Sequence, residues 1–404
     1  MSALRARWCV ALLLSLCMAP AQALVQEMTA EFRPDPSTPM VNTFKNTTPE
    51  SGICPWHIPE RCKQLGIFSI RTTDIQFVSN AVIQGNHSDP RKGAMFKVPT
   101  EWRELTVTNT VTAKTETVQI RIAGIGGKYL LPGGHDQSVW KDGTYRWAFP
   151  GPPCLGTGYA TGSARFLLWS WITPLNIGAC TRPAVKDIQG LFYETFEYSY
   201  ELRTPNPLNM DAGQYVGSIT YSIGPNADFD FGDIMIPNDG VLTFNFTLDV
   251  DHQLKVEVPP GGNRIQLEPQ GGWQAWLQNG RKPSRLFRDQ TVSLWTSAPF
   301  KMTLECPEPM GNTCSLRNAA GHQVPLDIAV SLPNGLTDAG GRAVNRLPLR
   351  LDGSGSELFQ PSRYIDRKPS TLHFDVKADA VAQMLEQAGS TYGGTVTVVW
   401  DSQL

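Results

Sequence analysis

Apolar residues in this chain recur at every second position, and that period constrains the fold more than any other feature. Val118, Ile120 and Ile122 alternate with polar residues. So do Leu242, Phe244, Phe246, Leu248 and Val250, then Leu254, Val256 and Val258. Later come Leu326, Ile328, Val330 and Leu332, then Leu372, Phe374 and Val376. Successive side chains of an extended strand point to opposite faces, so each run puts one face in a core and the other in water. Helical periodicity is sparse. Residues 378–388, ended by Gly389, are the best candidate. The expectation is an all-β chain of sandwiches.

Pro259-Pro260-Gly261-Gly262 interrupts this pattern between the runs 254–258 and 264–268. Proline cannot continue a ladder, and glycine allows a swivel. A first domain at 24–260, a linker at 261–262 and a second domain at 263–404 follow. The first domain is far larger than the roughly 100 residues of a plain sandwich. It is expected to carry extra strands or long loops.

The compartment is written at the N-terminus. Arg5 and Arg7 precede a short apolar run at 10–18, and Ala21-Gln22-Ala23 is a small-residue cleavage site. Residues 1–23 therefore read as a secretory signal, and no later stretch is apolar enough for a membrane helix. Cys9 and Cys17 leave with the signal. Six cysteines remain, an even count that means disulfides in an exported chain. Their connectivity is open in principle, but they fall into three local couples. Short loops close at least entropic cost, so the expected pairs are Cys54–Cys62, Cys154–Cys180 and Cys306–Cys314. None is a C-x-x-C, and His57 beside Cys54 has no partners at zinc spacing, so no metal site is expected. With 35 basic and 37 acidic side chains the net charge is -2. That argues against a nucleic-acid partner, which needs a basic footprint.

A weak internal repeat is the most informative pattern. Tyr215-x-Gly217-x-Ile219-x-Tyr221-x-Ile223 matches Tyr392-x-Gly394-x-Val396-x-Val398-x-Trp400. After Ile223 comes a strong strand pair at 241–258 that can close the first domain. After Trp400 the sequence continues only to Leu404. One reading is a second sandwich short of its last strand, whose groove another chain fills. The other is two complete sandwiches whose terminal strands happen to match.

At these residues the chain resembles a known family, the tip adhesins and pilus initiators of class 5 (alternate chaperone–usher) fimbriae of the colonisation-factor and cable-pilus type. The resemblance is carried by Phe44-Lys45-Asn46-Thr47-Thr48-Pro49-Glu50-Ser51-Gly52 leading into Cys54 and Cys62. It continues in Pro207-Leu208-Asn209-Met210-Asp211-Ala212-Gly213-Gln214-Tyr215-Val216-Gly217-Ser218 and ends in Tyr392-Gly393-Gly394-Thr395-Val396-Thr397-Val398. It implies two Ig-like β-sandwich domains in tandem: an N-terminal adhesin domain and an incomplete C-terminal pilin domain lacking its last strand. A periplasmic pilus chaperone, then a major pilin subunit, would fill the acceptor groove, and an outer-membrane usher would export the complex to a fimbrial tip at the cell surface. Tyr392, Gly394, Val396, Val398 and Trp400 would line one side of that groove, Ile265 and Leu267 the other. Two departures stand out. The family's arginine pair after the strand matching 215–223 is replaced by Gly224-Pro225-Asn226-Ala227-Asp228, and Trp295 stands where a family cysteine aligns.

A host glycan or glycoprotein receptor needs aromatic faces for the apolar side of a sugar and polar groups for its hydroxyls. Trp140, Tyr145, Arg146, Trp147, Phe149 and Arg165 supply both, within a region that a Cys154–Cys180 bridge would hold. Trp169 and Trp171 sit in a continuous apolar run and read as core; for Tyr145, Arg146 and Trp147 core and surface readings stand level. Asp228, Asp230 and Asp233 lack calcium-loop spacing and read as solvated turn carboxylates. No G-x-S-x-G, H-E-x-x-H or G-x-G-x-x-G motif is present, so no catalytic residue and no cofactor is expected. The alternatives are a free-standing secreted two-domain carbohydrate-binding protein and, further off, a secreted glycoside hydrolase built on an unrecognised carboxylate pair.

Overall fold

The structure is a computed structural model that describes residues 24–402; the signal expected at 1–23 lies outside the described residues. Two all-β sandwiches stand in tandem, each around its own core. In the first, the strand order runs from Met235–Pro237 through Phe77–Ser79, Phe192–Arg203, Thr115–Leu130, Arg103–Asn109, Gly213–Ser222, Val241–Val250 and Leu24–Phe32 to Lys45–Asn46. Thr115–Leu130 organises it. One edge pairs with Phe192–Arg203 along its length. The other pairs first with Arg103–Asn109 and then with Phe166–Ile172.

Burial along Thr115–Leu130 alternates up to Ile122 and is then continuous to Gly127. Both faces are covered there, the second partly by Ile53, Cys54, Cys62 and Ile67 packed on Ala123. The Cys54–Cys62 bridge ties the short helices Ile53–Trp56 and Pro59–Leu65 into that cover. Chains cross closely at this point. A Cβ on Gly127 would sit 2.2 Å from Thr195 O, and its φ of +145° disfavours any other residue.

Leu24–Phe32 pairs in parallel with Val241–Val250, from Leu24 opposite Leu242 to Phe32 opposite Val250. That strand completes the first sandwich and brings Met28, Ala30 and Phe32 into its core. The run at 254–258, expected to help close the first sandwich, does not do so. Leu254–Glu257 pairs with Ser293–Thr296 of the second sandwich, not with the first. Asp251–Gln253 therefore makes the crossing. After Asp251-His252-Gln253 the alternation resumes at Leu254 with the same parity, so a local pattern has no means of assigning the last run to a sheet. His252 is held there: its Nε2 donates to Met210 O at 2.9 Å, and its Nδ1 lies 3.1 Å from the hydroxyl of Ser297.

The second sandwich has one large sheet ordered Leu254–Glu257, Leu286–Thr296, Ile365–Val376, Gln323–Ser331, Thr313–Asn318, Pro309–Met310. Facing it is Leu336–Asp338, Phe359–Pro361, Phe300–Glu305, Thr397–Ser402. Cys306–Cys314 joins the two layers. Trp295 points away from the core, under the ammonium of Lys255 at 4.7 Å. The helix expected at 378–388 spans Ala378–Glu386.

The repeat is only half realised. Gly213–Ser222 is one strand, but 392–400 is broken. Tyr392–Gly393 pairs with Thr313–Asn318, and Thr397–Ser402 pairs with Phe300–Glu305 in the other layer. A Cβ on Gly394 would meet Ser315 O at 2.6 Å. The chain crosses Thr313–Asn318 at that glycine and changes sheet.

Candidate functional site

The sheet change at 394–396 opens a groove. One wall is 263–267 and the other is 390–396, around a cavity of about 600 Å³. Its floor is Leu286, Leu316, Leu326 and Phe374, all inward residues of the large sheet. Among the described residues, no strand pairing or turn hydrogen bond engages the backbone of 265–267 or 394–396. Extended backbone beside an apolar floor presents donors, acceptors and burial together, which is what an added strand uses. Tyr392 is fixed at the rim, its hydroxyl 2.8 Å from His322 Nδ1 and accepting from Asn318 Nδ2 at 3.4 Å.

Five of the seven residues expected to line an acceptor groove meet here: Ile265, Leu267, Tyr392, Gly394 and Val396. Val398 and Trp400 do not. They lie beyond the sheet change, opposite Leu304 and Met302, half-buried against the second core. Trp273 is a wall residue that alternation did not find. Its one sequence trace is the three-residue spacing to Trp276, which the structure places at the helix Gln274–Asn279.

The expected sugar-binding set divides. Trp140 and Trp147 are buried, at 1% and 0% exposure, so neither ring offers a face to a ligand. They form one aromatic nucleus with Tyr129, Phe96, Trp169 and Trp171. Trp171 Nε1 donates to Trp147 O at 2.7 Å. The Arg182 guanidinium packs on Trp147, and its burial lowers the guanidinium pKa to about 10. Tyr145 and Arg146 remain exposed on the short helix Tyr145–Ala148. Tyr145 packs against the exposed Phe149 at 5.2 Å, and Arg146 pairs with Asp142 at 3.3 Å. Arg165 is exposed on a different element, the turn before Phe166–Ile172. Phe149, from the same aromatic stretch, thus joins Tyr145 on the surface while Trp147 between them is core.

Three polar clusters bear on other chemistries. Asp228 pairs with Arg103, while Asp230 and Asp233 both pair with Arg91. All three are ion-paired; Asp230 is buried, while Asp233 stays exposed in a turn. Glu197 is also buried; its carboxylate accepts from Ile53 N at 2.8 Å and Arg71 Nε at 2.5 Å. Burial raises its pKa against the pull of Arg71. Ser331 Oγ lies 2.8 Å from His373 Nε2, and His373 Nδ1 lies 2.7 Å from Asp289. That spacing resembles a nucleophile–base–carboxylate chain. Here the Ser331 oxygen also accepts from Arg346 N at 2.9 Å, and Arg346 pairs with Asp289 at 3.1 Å. The arrangement anchors the turn at 345–346 to three strands. Among the described residues no group of three or more His, Cys, Asp or Glu side chains is placed to hold a metal ion.

Fold and groove together define a class: a tandem all-β chain whose second sandwich leaves an apolar groove open between two unpaired segments. No protein-family model matches the chain, and no curated protein is a significant match. Among solved structures it is similar to fimbrial tip adhesins. One is CfaE, the adhesive subunit of the CFA/I fimbria of enterotoxigenic Escherichia coli, at 11% identity over 95% of this chain and 93% of that one, with a TM-score of 0.24. Another is the CsuC–CsuE chaperone–tip adhesion subunit pre-assembly complex from the archaic chaperone–usher Csu pili of Acinetobacter baumannii, at 11% identity over 94% and 98%, with a TM-score of 0.23. Superpositions this loose assign neither fold nor function to the chain.

Proposed function

We propose that the chain is a fimbrial tip subunit that accepts a β-strand from another chain and binds a host-surface receptor. The observation that carries this reading is the groove: an apolar floor between two backbone segments with free hydrogen-bonding groups. A partner strand laid between 263–267 and 390–396 would cover the floor and satisfy both walls. The first occupant would be a periplasmic pilus chaperone and the next a major pilin subunit, after passage through an outer-membrane usher to the fimbrial tip. The motifs at 44–62, 207–218 and 392–398 support the same assignment. Tyr145, Phe149 and Arg146 supply an exposed aromatic face beside a cation, which suits a host glycan or glycoprotein.

The test is binding of the full chain to a synthetic strand peptide of alternating valine and threonine. The peptide is expected to bind and to raise the thermal transition of the second sandwich. Val396→Arg, which places a charge in the groove wall, is expected to abolish binding while the protein stays folded. A free-standing carbohydrate-binding protein with a complete second sandwich would respond to neither change, and that result would reject strand acceptance.

A further inference from the structure

We propose that the groove selects its occupant by charge as well as by apolar fit: the strand it accepts carries an acidic group just beyond its last inward apolar residue, at the Ser390 end. This rests on the strand-acceptor reading and goes further in naming the chemistry of the partner segment.

The groove does not stop at Tyr392. A second cavity of about 330 Å³, walled by Trp273, Trp276, Pro283, Met384 and Leu385, shares Trp273, Leu286, Met384, Ser390 and Tyr392 with it. A third, of about 370 Å³, shares Trp276, Lys282 and Pro283 with the second and is lined by Arg281, Lys282 and Arg285. The shared walls fix the order: apolar groove, tryptophan shelf, basic end. The local sequence builds that shelf. Gly271 and Gly272, at φ +82° and +78°, turn the chain into the helix Gln274–Asn279, and Gly280 at φ +65° ends it. The rings of Trp273 and Trp276 lie 5.9 Å apart, and Leu277 is 75% exposed.

The charges at the basic end are unequal. Arg285 is committed to Asp375, with its Nε 2.8 Å from Oδ2. Among the described residues, Arg281 and Lys282 form no ion pair with an acid of this chain. Among the described residues, no carboxylate lines any of the three cavities. An extended segment advances about 3.3 Å per residue, so a strand lying along the floor reaches the shelf and then the cations in a few residues. Its apolar side chains would meet Trp273 and Trp276, and a following Asp, Glu or terminal carboxylate would meet Arg281 and Lys282. Partly exposed ion pairs are individually weak and screened by salt. Two of them translate to roughly three- to tenfold in affinity.

The experiment is fluorescence anisotropy of the full chain with labelled peptides of alternating valine and threonine. The peptides end, at either terminus, in aspartates or in lysines. The aspartate peptide is expected to bind about three- to tenfold more tightly at low ionic strength. The difference is expected to shrink as salt rises and to vanish in an Arg281→Ala, Lys282→Ala double variant that still binds the lysine peptide. Equal binding of the two peptides overturns this inference and leaves strand acceptance standing. Binding of neither overturns strand acceptance itself. A preference that survives in the double variant overturns the assignment to Arg281 and Lys282. Binding of the full chain to phosphatidylglycerol vesicles that depends on those two residues, while both peptides bind alike, makes the surface a membrane contact and overturns the inference as well.

Discussion

The two sandwiches use the same alternating strands but close differently. In the first, Leu24–Phe32 lies parallel to Val241–Val250 over nine paired positions and brings its own apolar residues into the core. In the second, the floor residues Leu286, Leu316, Leu326 and Phe374 face a cavity of about 600 Å³ between two walls. The difference teaches that alternation makes half of a sandwich and a covering strand makes the other half. It also separates two uses of aromatic residues. The first sandwich hides Trp140, Trp147, Trp169 and Trp171 in its core. The second keeps Trp273 and Trp276 at the rim of its groove.

If the first sandwich is closed and its tryptophans are core, Trp147→Ala should cost about 3–5 kcal/mol. Chemical denaturation is expected to show the loss in the first domain, with the second unaffected. A folded, stable variant with lost receptor binding would instead return Trp147 to the surface and break the contrast. Next in size is the response to an occupant. A strand peptide at about one hundred times its dissociation constant should stabilise the second sandwich by about 2.7 kcal/mol and leave the first unchanged. A shift in the first transition would mean that both domains are open.

A smaller effect is expected at the crossing. Burial lowers the pKa of His252 below its ordinary 6.5, against a hydrogen bond to Met210 O that raises it. The folded state therefore favours neutral imidazole. Its contribution is present above pH 6.5 and is lost as pH falls, because the unfolded chain takes up a proton that the folded chain resists. Denaturation at pH 7.5 and 5.5 should show a pH-dependent loss that His252→Gln reduces; an identical loss in the variant would place its origin elsewhere. Smallest is Tyr145→Ala, which should change stability by less than about 0.5 kcal/mol. Adhesion of fimbriated cells carrying it should fall; unchanged adhesion would remove the Tyr145–Phe149 face as a receptor contact.

Much of the fold is legible in the amino-acid sequence. Alternation at 242–250, 326–332 and 372–376 named strands and their inward faces, because the two-residue period is a property of the extended backbone alone. The family resemblance implies Ile265, Leu267, Tyr392, Gly394 and Val396 as groove residues, and these five line one cavity. Val398 and Trp400, implied with them, lie elsewhere, since nothing in Thr-Val-Val-Trp reveals that the chain has just changed sheet. Trp147 and Tyr145 are two residues apart in one loop-like stretch. One is buried and the other is exposed because a four-residue helix turns them to opposite sides.

Short-range chemistry therefore settled strand class, inward faces and a plausible set of local cysteine couples. Which strand lies beside which was decided only in three dimensions. Leu254–Glu257 reads as a continuation of Val241–Val250, yet it pairs with Leu286–Thr296. Leu24–Phe32 closes a sandwich against a strand more than two hundred positions away. Pairing is a contact between distant segments, chosen by the total apolar surface that the assembled layers bury. A groove is the place where that assembly leaves surface uncovered, so no single run of the sequence encodes it.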